Sequence, residues 1–204
     1  MAWSWSQFNT ELGRVLDDTD SNNPAHGTDL RVEALNAALR AFVSYKPLQK
    51  SGTSSDASTI SVPSDCYRIA AVVATDDDSV STALSAASIG NPGDVFDANS
   101  YWVWGTTIYL GDEYPSVTLY YYAYYPIATN ATTDIIVPEW ARDAIVYLSA
   151  AHCLMPNLSS RARLGAFNDR QDAAPLQNSL IQAANWFVEQ FERIVATHRQ
   201  VAGL

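Results

Sequence analysis

Lysine occurs only twice, at Lys46 and Lys50, and acidic side chains outnumber basic ones by 22 to 12. The resulting formal net charge of −10 argues against a surface that grips nucleic-acid phosphate, because such surfaces need clustered Lys and Arg. It leaves room for DNA that passes without sticking. Cysteine is as scarce, with Cys66 and Cys153 alone. A single pair in a reducing compartment reads as two buried thiols rather than a disulfide. No apolar run approaches the roughly 18 to 20 residues a membrane span needs, so no membrane partner is expected. The opening Met1-Ala2-Trp3-Ser4-Trp5-Ser6 lacks the basic start and apolar core of a signal peptide, which predicts cytoplasmic synthesis without export. A phosphate-binding glycine loop, a nucleophile elbow and Cys or His pairs at metal spacing are all missing. The expectation is a protein without cofactor or metal, and not an enzyme.

What is present is a foldable chain, with 48% hydrophobic and 17% charged residues, values of a packed protein rather than a disordered one. The central stretch runs from Ser116 to Met155. Tyr120, Tyr121, Tyr122, Tyr124 and Tyr125 crowd a predicted strand, a composition suited to a pleated surface with one face buried. Pro138 can open a helix, since the first-turn N–H it lacks has no partner there. Ala141, Ala144, Ile145, Leu148, Ala151, His152 and Met155 then recur at helical spacing, with Pro156 as the expected stop. Tyr147, Ala150 and Leu154 lie off that stripe and predict a helix buried on more than one side.

Taken in order, Trp3 to Leu16 reads as a short helix and Asp17 to Gly27 as a polar loop. Thr28 or Asp29 is the expected cap of a second helix carrying Leu35, Ala38, Leu39 and Phe42 on its core face. Lys50 to Ser58 is small and polar, and reads as a flexible connection. Extended patterns follow at Ile60–Val62, Tyr67–Ala74, a hairpin over Tyr101–Trp104 and Thr107–Leu110, and Ser116–Tyr125. Val80 to Asn99 takes no firm assignment. Pro175 can open the last helix, with Leu176, Leu180, Ala183, Ala184, Phe187, Phe191, Ile194 and Val195 as its apolar stripe. The fold class this predicts is α+β: a helical-bundle core with an inserted small antiparallel β-rich subdomain. Its expected divisions are 1–50 for the first helices, 51–127 for the β insertion, and 128–204 for the last helices and tail.

Residues with chemical potential are few. His152 and Cys153 are neighbours, but adjacent helical positions point about 100° apart and make a poor dyad. Asp76-Asp77-Asp78 reads as a solvated turn, with calcium as the alternative. Asp17, Asp18 and Asp20 carry the same ambiguity, and His26 and His198 read as isolated surface residues. The concentration of Tyr and Trp from Tyr101 to Trp140 is the unusual signal. Besides sheet packing, it fits an aromatic-rich docking face, since Tyr and Trp are enriched where surfaces meet. A carbohydrate platform is a further alternative.

Three segments, in order, carry a family resemblance. They are the helix Leu30-Arg31-Val32-Glu33-Ala34-Leu35-Asn36-Ala37-Ala38-Leu39-Arg40, the strand start Ser61-Val62-Pro63-Ser64-Asp65-Cys66-Tyr67-Arg68-Ile69, and Tyr124-Tyr125-Pro126 leading to Val137-Pro138-Glu139-Trp140 and an Ala-rich helix. This arrangement resembles the head-to-tail adaptor (connector) proteins of tailed bacteriophages, from about Thr28 to the last helix. The resemblance implies a non-enzymatic virion protein that forms a ring, usually of about twelve copies, beneath the portal protein. The ring would extend the channel for double-stranded DNA and dock the tail or next neck protein. It implies that the C-terminal end faces the portal, here Val195, His198, Arg199, Val201 and Leu204. It leaves Tyr101, Trp102, Trp104, Tyr121 and Tyr124 as candidates for the tail or inter-subunit interface. A neck stopper or tail-completion (terminator) protein is the nearest alternative, and a carbohydrate- or protein-binding module the more distant one.

Overall fold

In a computed structural model of the chain, residues 3–20, 25–87, 97–129, 134–168 and 179–201 are described. The chain divides into two units, Met1–Lys46 with Tyr125–Leu204, and Pro47–Tyr124. Among the described residues, the first holds four α-helices: α1 (Trp5–Val15), α2 (Thr28–Phe42), α3 (Arg142–Asn168) and α4 (Ser179–Val201). The second holds six strands: β1 (Leu48–Ser61), β2 (Cys66–Thr75), β3 (Ser81–Ala83), β4 (Ser85–Ala86), β5 (Ser100–Trp104) and β6 (Thr107–Ala123).

Helix α1 begins where Ser4 and Gln7 satisfy each other's orphan amides. The Ser4 hydroxyl accepts from the Gln7 amide at 3.2 Å, and the Gln7 side chain accepts from the Ser4 amide at 3.0 Å. This reciprocal box stabilises a helix start that would otherwise leave both donors to water. Replacing Ser4 by alanine is expected to lower stability by about 1 kcal/mol, measured by urea unfolding; no change would mean that the box is not formed in solution. The helix stops in a left-handed residue, Asp17 at φ 53°. The Asp18 amide then donates back to the Gly13 carbonyl at 2.8 Å, and the Asp17 amide to Arg14 at 3.3 Å, the paired bonds of a Schellman ending. A side chain at Gly13 would place its Cβ 2.8 Å from the Asp18 carbonyl oxygen, so the returning loop requires glycine there.

Helix α2 is capped by Gly27, not by Thr28 or Asp29, and no side chain bonds its first amides. Leu35, Ala38, Leu39 and Phe42 are buried as their spacing predicts. After Pro138 a 3-10 turn (Glu139–Ala141) leads into α3. Helix α3 packs against α1, α2 and α4, which explains why Ile145, Val146, Ala150 and Leu154 are all buried although they do not share one stripe. Met155 is exposed. Pro156 does not end the helix, which continues to Asn168. Proline there removes one amide donor, and the flanking turns carry the helix past it. On α4 Ala184, Phe187, Phe191 and Val195 of the stripe are buried, while Leu180, Ala183 and Ile194 are half-buried; Pro175 and Leu176 lie outside the described residues.

The helical-bundle core with a small inserted sheet is overturned. The β unit is a six-stranded sheet that curls into a nearly closed barrel around its own core, and it accompanies the four helices as a unit in its own right. Two local readings account for the difference. Lys50 to Ser58, expected as a flexible linker, lies inside the 14-residue strand β1. The hairpin arm and the tyrosine strand, expected as separate, are one 17-residue strand, β6, running through Pro115. Strand β1 is antiparallel along one edge of β6, from Leu48 opposite Ala123 to Ser61 opposite Thr107. The other edge of β6 takes β5 at its start, with Tyr101 opposite Leu110, and β2 at its end, with Thr75 opposite Ser116. Pro115 falls between those two partners, where a ladder donor is not required. Val72, Ile108, Val117, Leu119 and Ala123 form the interior of this unit.

Candidate functional site

The C-terminal candidates separate into different environments. Val195 is buried in the helical unit at 2% exposure, so it holds α4 in place and is not a surface residue. His198 lies one turn further on, and its ring stacks on Trp140 with centroids 4.2 Å apart and planes 20° off parallel. Trp140 also meets Phe42 edge-on at 5.6 Å. The expectation of His198 as an isolated surface residue is therefore corrected: it fastens the end of α4 to the turn before α3. Arg199 and Val201 lie on the last turn of α4, and Leu204 lies outside the described residues.

The aromatic candidates also divide, by strand parity. On β6 Val117, Leu119, Tyr121 and Ala123 point inward, while Tyr120 and Tyr122 point outward. Tyr121 is accordingly buried at 8%, with its hydroxyl 3.4 Å from Asp65 Oδ1. It is removed from any docking face. Tyr124 is exposed and meets Tyr67 edge-on at 5.3 Å, and Arg68 lies over the Tyr122 ring at 4.9 Å. This gives an outer sheet face of Tyr67, Arg68, Tyr120, Tyr122 and Tyr124. At the other end of the unit Trp102 stacks on its cross-strand neighbour Tyr109 at 5.3 Å, Tyr101 is half-buried, and Trp104 is half-exposed beside the Gly105 turn.

A third cluster, centred on Arg31, has no counterpart in the expectations. Arg31 sits on the buried face of α2, one turn before Leu35, and is 5% exposed. All five of its N–H groups are used. Nε donates to the His26 carbonyl at 3.0 Å, Nη1 to Asn9 Oδ1 at 2.6 Å and to the Asn9 carbonyl at 3.4 Å, and Nη2 to Asp18 Oδ2 at 2.8 Å and the Asp18 carbonyl at 3.0 Å. Asp18 further accepts from the Ala25 and His26 amides and pairs with His26 Nδ1 at 3.0 Å. Burial alone would raise the Asp18 carboxyl. The bonds from Arg31, Ala25 and His26 together outweigh it and hold the group well below the usual carboxylate range. His26, expected at the surface, is buried at 7%.

This cluster borders a cleft of about 400 Å³ lined by Asn9, Arg14, Asp18, Asp20, His26 and Thr28, among others. An Asp–His pair beside a cleft invites a catalytic reading. No Ser or Cys lines it among the described residues, and a saturated guanidinium has no donor left for an anionic substrate. What the arrangement does is fasten Asp18 and His26 to α1 and α2. One sequence signal pointed to it: an arginine on an otherwise apolar stripe must find an acceptor, because an unpaired buried charge is too costly.

The Cys153–His152 pair offers no nucleophile. Cys153 is fully buried, and burial pushes its thiol up to about 12, so no thiolate is present near neutrality. Burial also lowers His152. Asp76 uses its carboxylate to accept the Val80 amide at 2.8 Å, closing the turn between β2 and β3. Among the described residues no group of three or more His, Cys, Asp or Glu side chains is placed to hold a metal ion, and no helix is long and apolar enough to cross a membrane. Neither a family model nor a curated protein matches this chain.

Proposed function

We propose that this chain is a structural protein of the tailed-phage particle, a head-to-tail adaptor that joins a ring of copies to the portal and receives the tail or next neck protein. The observation that carries the reading is the element order of the resemblance, set out on a helical unit built from both ends of the chain. The chain leaves that unit after Lys46 and returns at Tyr125, and the Tyr125 hydroxyl donates to the Lys46 carbonyl at 2.6 Å, tying the two crossing points together. Asn36 and Ala128 add a two-way amide bond, both arms at 2.9 Å. An assembly part needs such a rigid frame, because its partners read its surface and not a reacting atom. In this reading the last turn of α4 and the tail face the portal, and the outer β faces at Trp104 and Tyr124 meet the tail or a neighbouring subunit. The acidic balance suits a channel through which DNA slides, since like charge avoids phosphate capture.

Light scattering on the protein alone and mixed with portal rings tests this. The expected result is association into stoichiometric rings only when portals are present. A chain ending at Thr197 keeps the buried Val195 but loses the His198–Trp140 stack, and is expected to fold and fail to join. A protein that ignores portals while forming its own closed ring would favour a stopper or terminator; one that ignores portals and forms no ring would end the adaptor reading.

A further inference from the structure

One buried acceptor of the helical unit is left without a donor. Asp18 holds its charge and can only accept, so the proton of its 3.0 Å bond to His26 sits on Nδ1. That bond fixes the tautomer of the neutral ring: Nδ1–H donates, and Nε2 on the opposite side keeps a bare lone pair. Nε2 is buried, and among the described residues nothing bonds it. His26 as a whole is 7% exposed, and it lines the cleft of about 400 Å³ beside α1 and α2. A buried polar atom without a partner is uncommon in a folded protein and calls for a reason.

The ring is held in this orientation from several sides. Asp18 Oδ2 accepts from the His26 amide at 3.0 Å and from Arg31 Nη2 at 2.8 Å, as well as from Nδ1, while Oδ1 accepts from the Ala25 amide at 2.9 Å. Both carboxylate oxygens are engaged, so the imidazole is fixed before any ligand arrives, and a binding event need not order it.

The lining limits what the cleft can take. Among the described residues no aliphatic side chain and no aromatic ring other than the imidazole lines it, which disfavours an apolar ligand. Its formal charges balance in number, Asp18 and Asp20 against Arg14 and Arg31, and Arg31 has all its donors engaged, so neither an anion nor a cation is favoured. The exposed Thr10, Thr19 and Thr28 add hydroxyls, which both donate and accept. Walls of this kind match a neutral molecule carrying several hydroxyls, and the volume lies within the range of about 300–1,000 Å³ usual for small-molecule sites. We propose that this cleft binds a neutral polyhydroxylated ligand of about the size of a monosaccharide, one of whose hydroxyls donates to His26 Nε2. No covalent bond is made or broken. The site belongs to the helical unit rather than to the aromatic faces of the sheet, and it does not rest on the adaptor reading.

The test reads the imidazole nitrogens of the intact, 15N-labelled protein by NMR while D-glucose, glycerol or maltotriose is added, with inorganic phosphate as the charged control. Without ligand, Nδ1 is expected to carry the proton and Nε2 none. Glucose or glycerol is expected to move the Nε2 signal saturably, with a dissociation constant of about 1 mM, and phosphate to leave it in place. An Nε2 shift with maltotriose as well supports the end of a glycan chain as the source; a shift with glucose or glycerol alone supports a free sugar or polyol. His26→Asn keeps an N–H for Asp18 but removes Nε2, and is expected to weaken binding at least about tenfold, followed at the amides of Thr10 and Thr28. An Nε2 signal that none of the three hydroxylated probes moves up to about 50 mM would overturn the proposal, and the natural protein alone decides this. So would an Nε2 that carries the proton, an equal shift with phosphate, shifts confined to the rim with Nε2 unmoved, or unchanged binding in His26→Asn.

Discussion

Replacing Arg31 by alanine is expected to lower the stability of the helical unit by about 3–5 kcal/mol, as removal of one partner from a buried ion pair does elsewhere. The size of the effect comes from what remains behind. Asp18 keeps its two amide donors and His26 but loses the guanidinium, while the carbonyls of Asn9, Asp18 and His26 lose their donor. Each orphaned buried group adds its own desolvation cost. Urea unfolding followed by circular dichroism measures the difference; a change below about 1 kcal/mol would show that the cluster behaves as a surface pair.

The same cluster sets an acid dependence. The Asp18 carboxyl is depressed in the folded chain, so its contribution is fully present above its unfolded value, about 3.9. It is lost as pH falls below that value towards the folded one. Stability of the natural protein is therefore expected to fall as pH drops below about 4, and Arg31→Ala flattens that part of the curve because the largest of the bonds that depress Asp18 is removed. An unchanged acid slope in the variant would place the acid sensitivity on other carboxylates.

Phe42→Ala is expected to lower stability by a similar amount, about 3–5 kcal/mol. The ring is fully buried and touches Tyr125 at 5.5 Å and Trp140 at 5.6 Å. It thus supports two features at once: the Tyr125 hydroxyl on the Lys46 carbonyl, and the Trp140 ring on which His198 stacks. Burial pushes the Tyr125 hydroxyl up to about 12, so it remains a hydrogen-bond donor through the neutral and moderately alkaline range. Hydrogen exchange of Phe42→Ala is expected to show faster opening at the last turn of α4 as well as around Lys46. Faster opening at Lys46 alone would separate the α4 end from this aromatic group.

Periodicity carried most of the helical unit. Leu35, Ala38, Leu39 and Phe42, and later Phe187, Phe191 and Val195, are buried where a 3.6-residue repeat places them, because a helix shows its burial pattern in its own sequence. Polar strands carry no such mark. Strand β1 is nearly all Ser, Thr, Gly and charge, with most residues exposed on both faces, so no two-residue alternation distinguishes it from a linker. What makes it a strand is β6 beside it. Pro156, expected to stop α3, lies inside it: proline removes one amide donor but does not by itself end a long helix.

The candidate site shows the same division. Tyr121 and Tyr124 looked alike as members of one aromatic run, and the pleat separated them, one inward and one outward. Asp18, His26 and Arg31 are scattered over a loop and a helix, each unremarkable alone. Sequence alone determined the acidic charge, the scarcity of lysine and cysteine, the helical stripes and the tyrosine concentration, since these are properties of single residues or of neighbours along the chain. Only the tertiary structure decided that a polar stretch is an edge strand, which tyrosines face solvent, and that Arg31 spends all five donors on one loop and one neighbouring helix. Those outcomes depend on which distant backbone lies alongside, and hydrogen-bond partners far apart in the chain leave no local pattern to read.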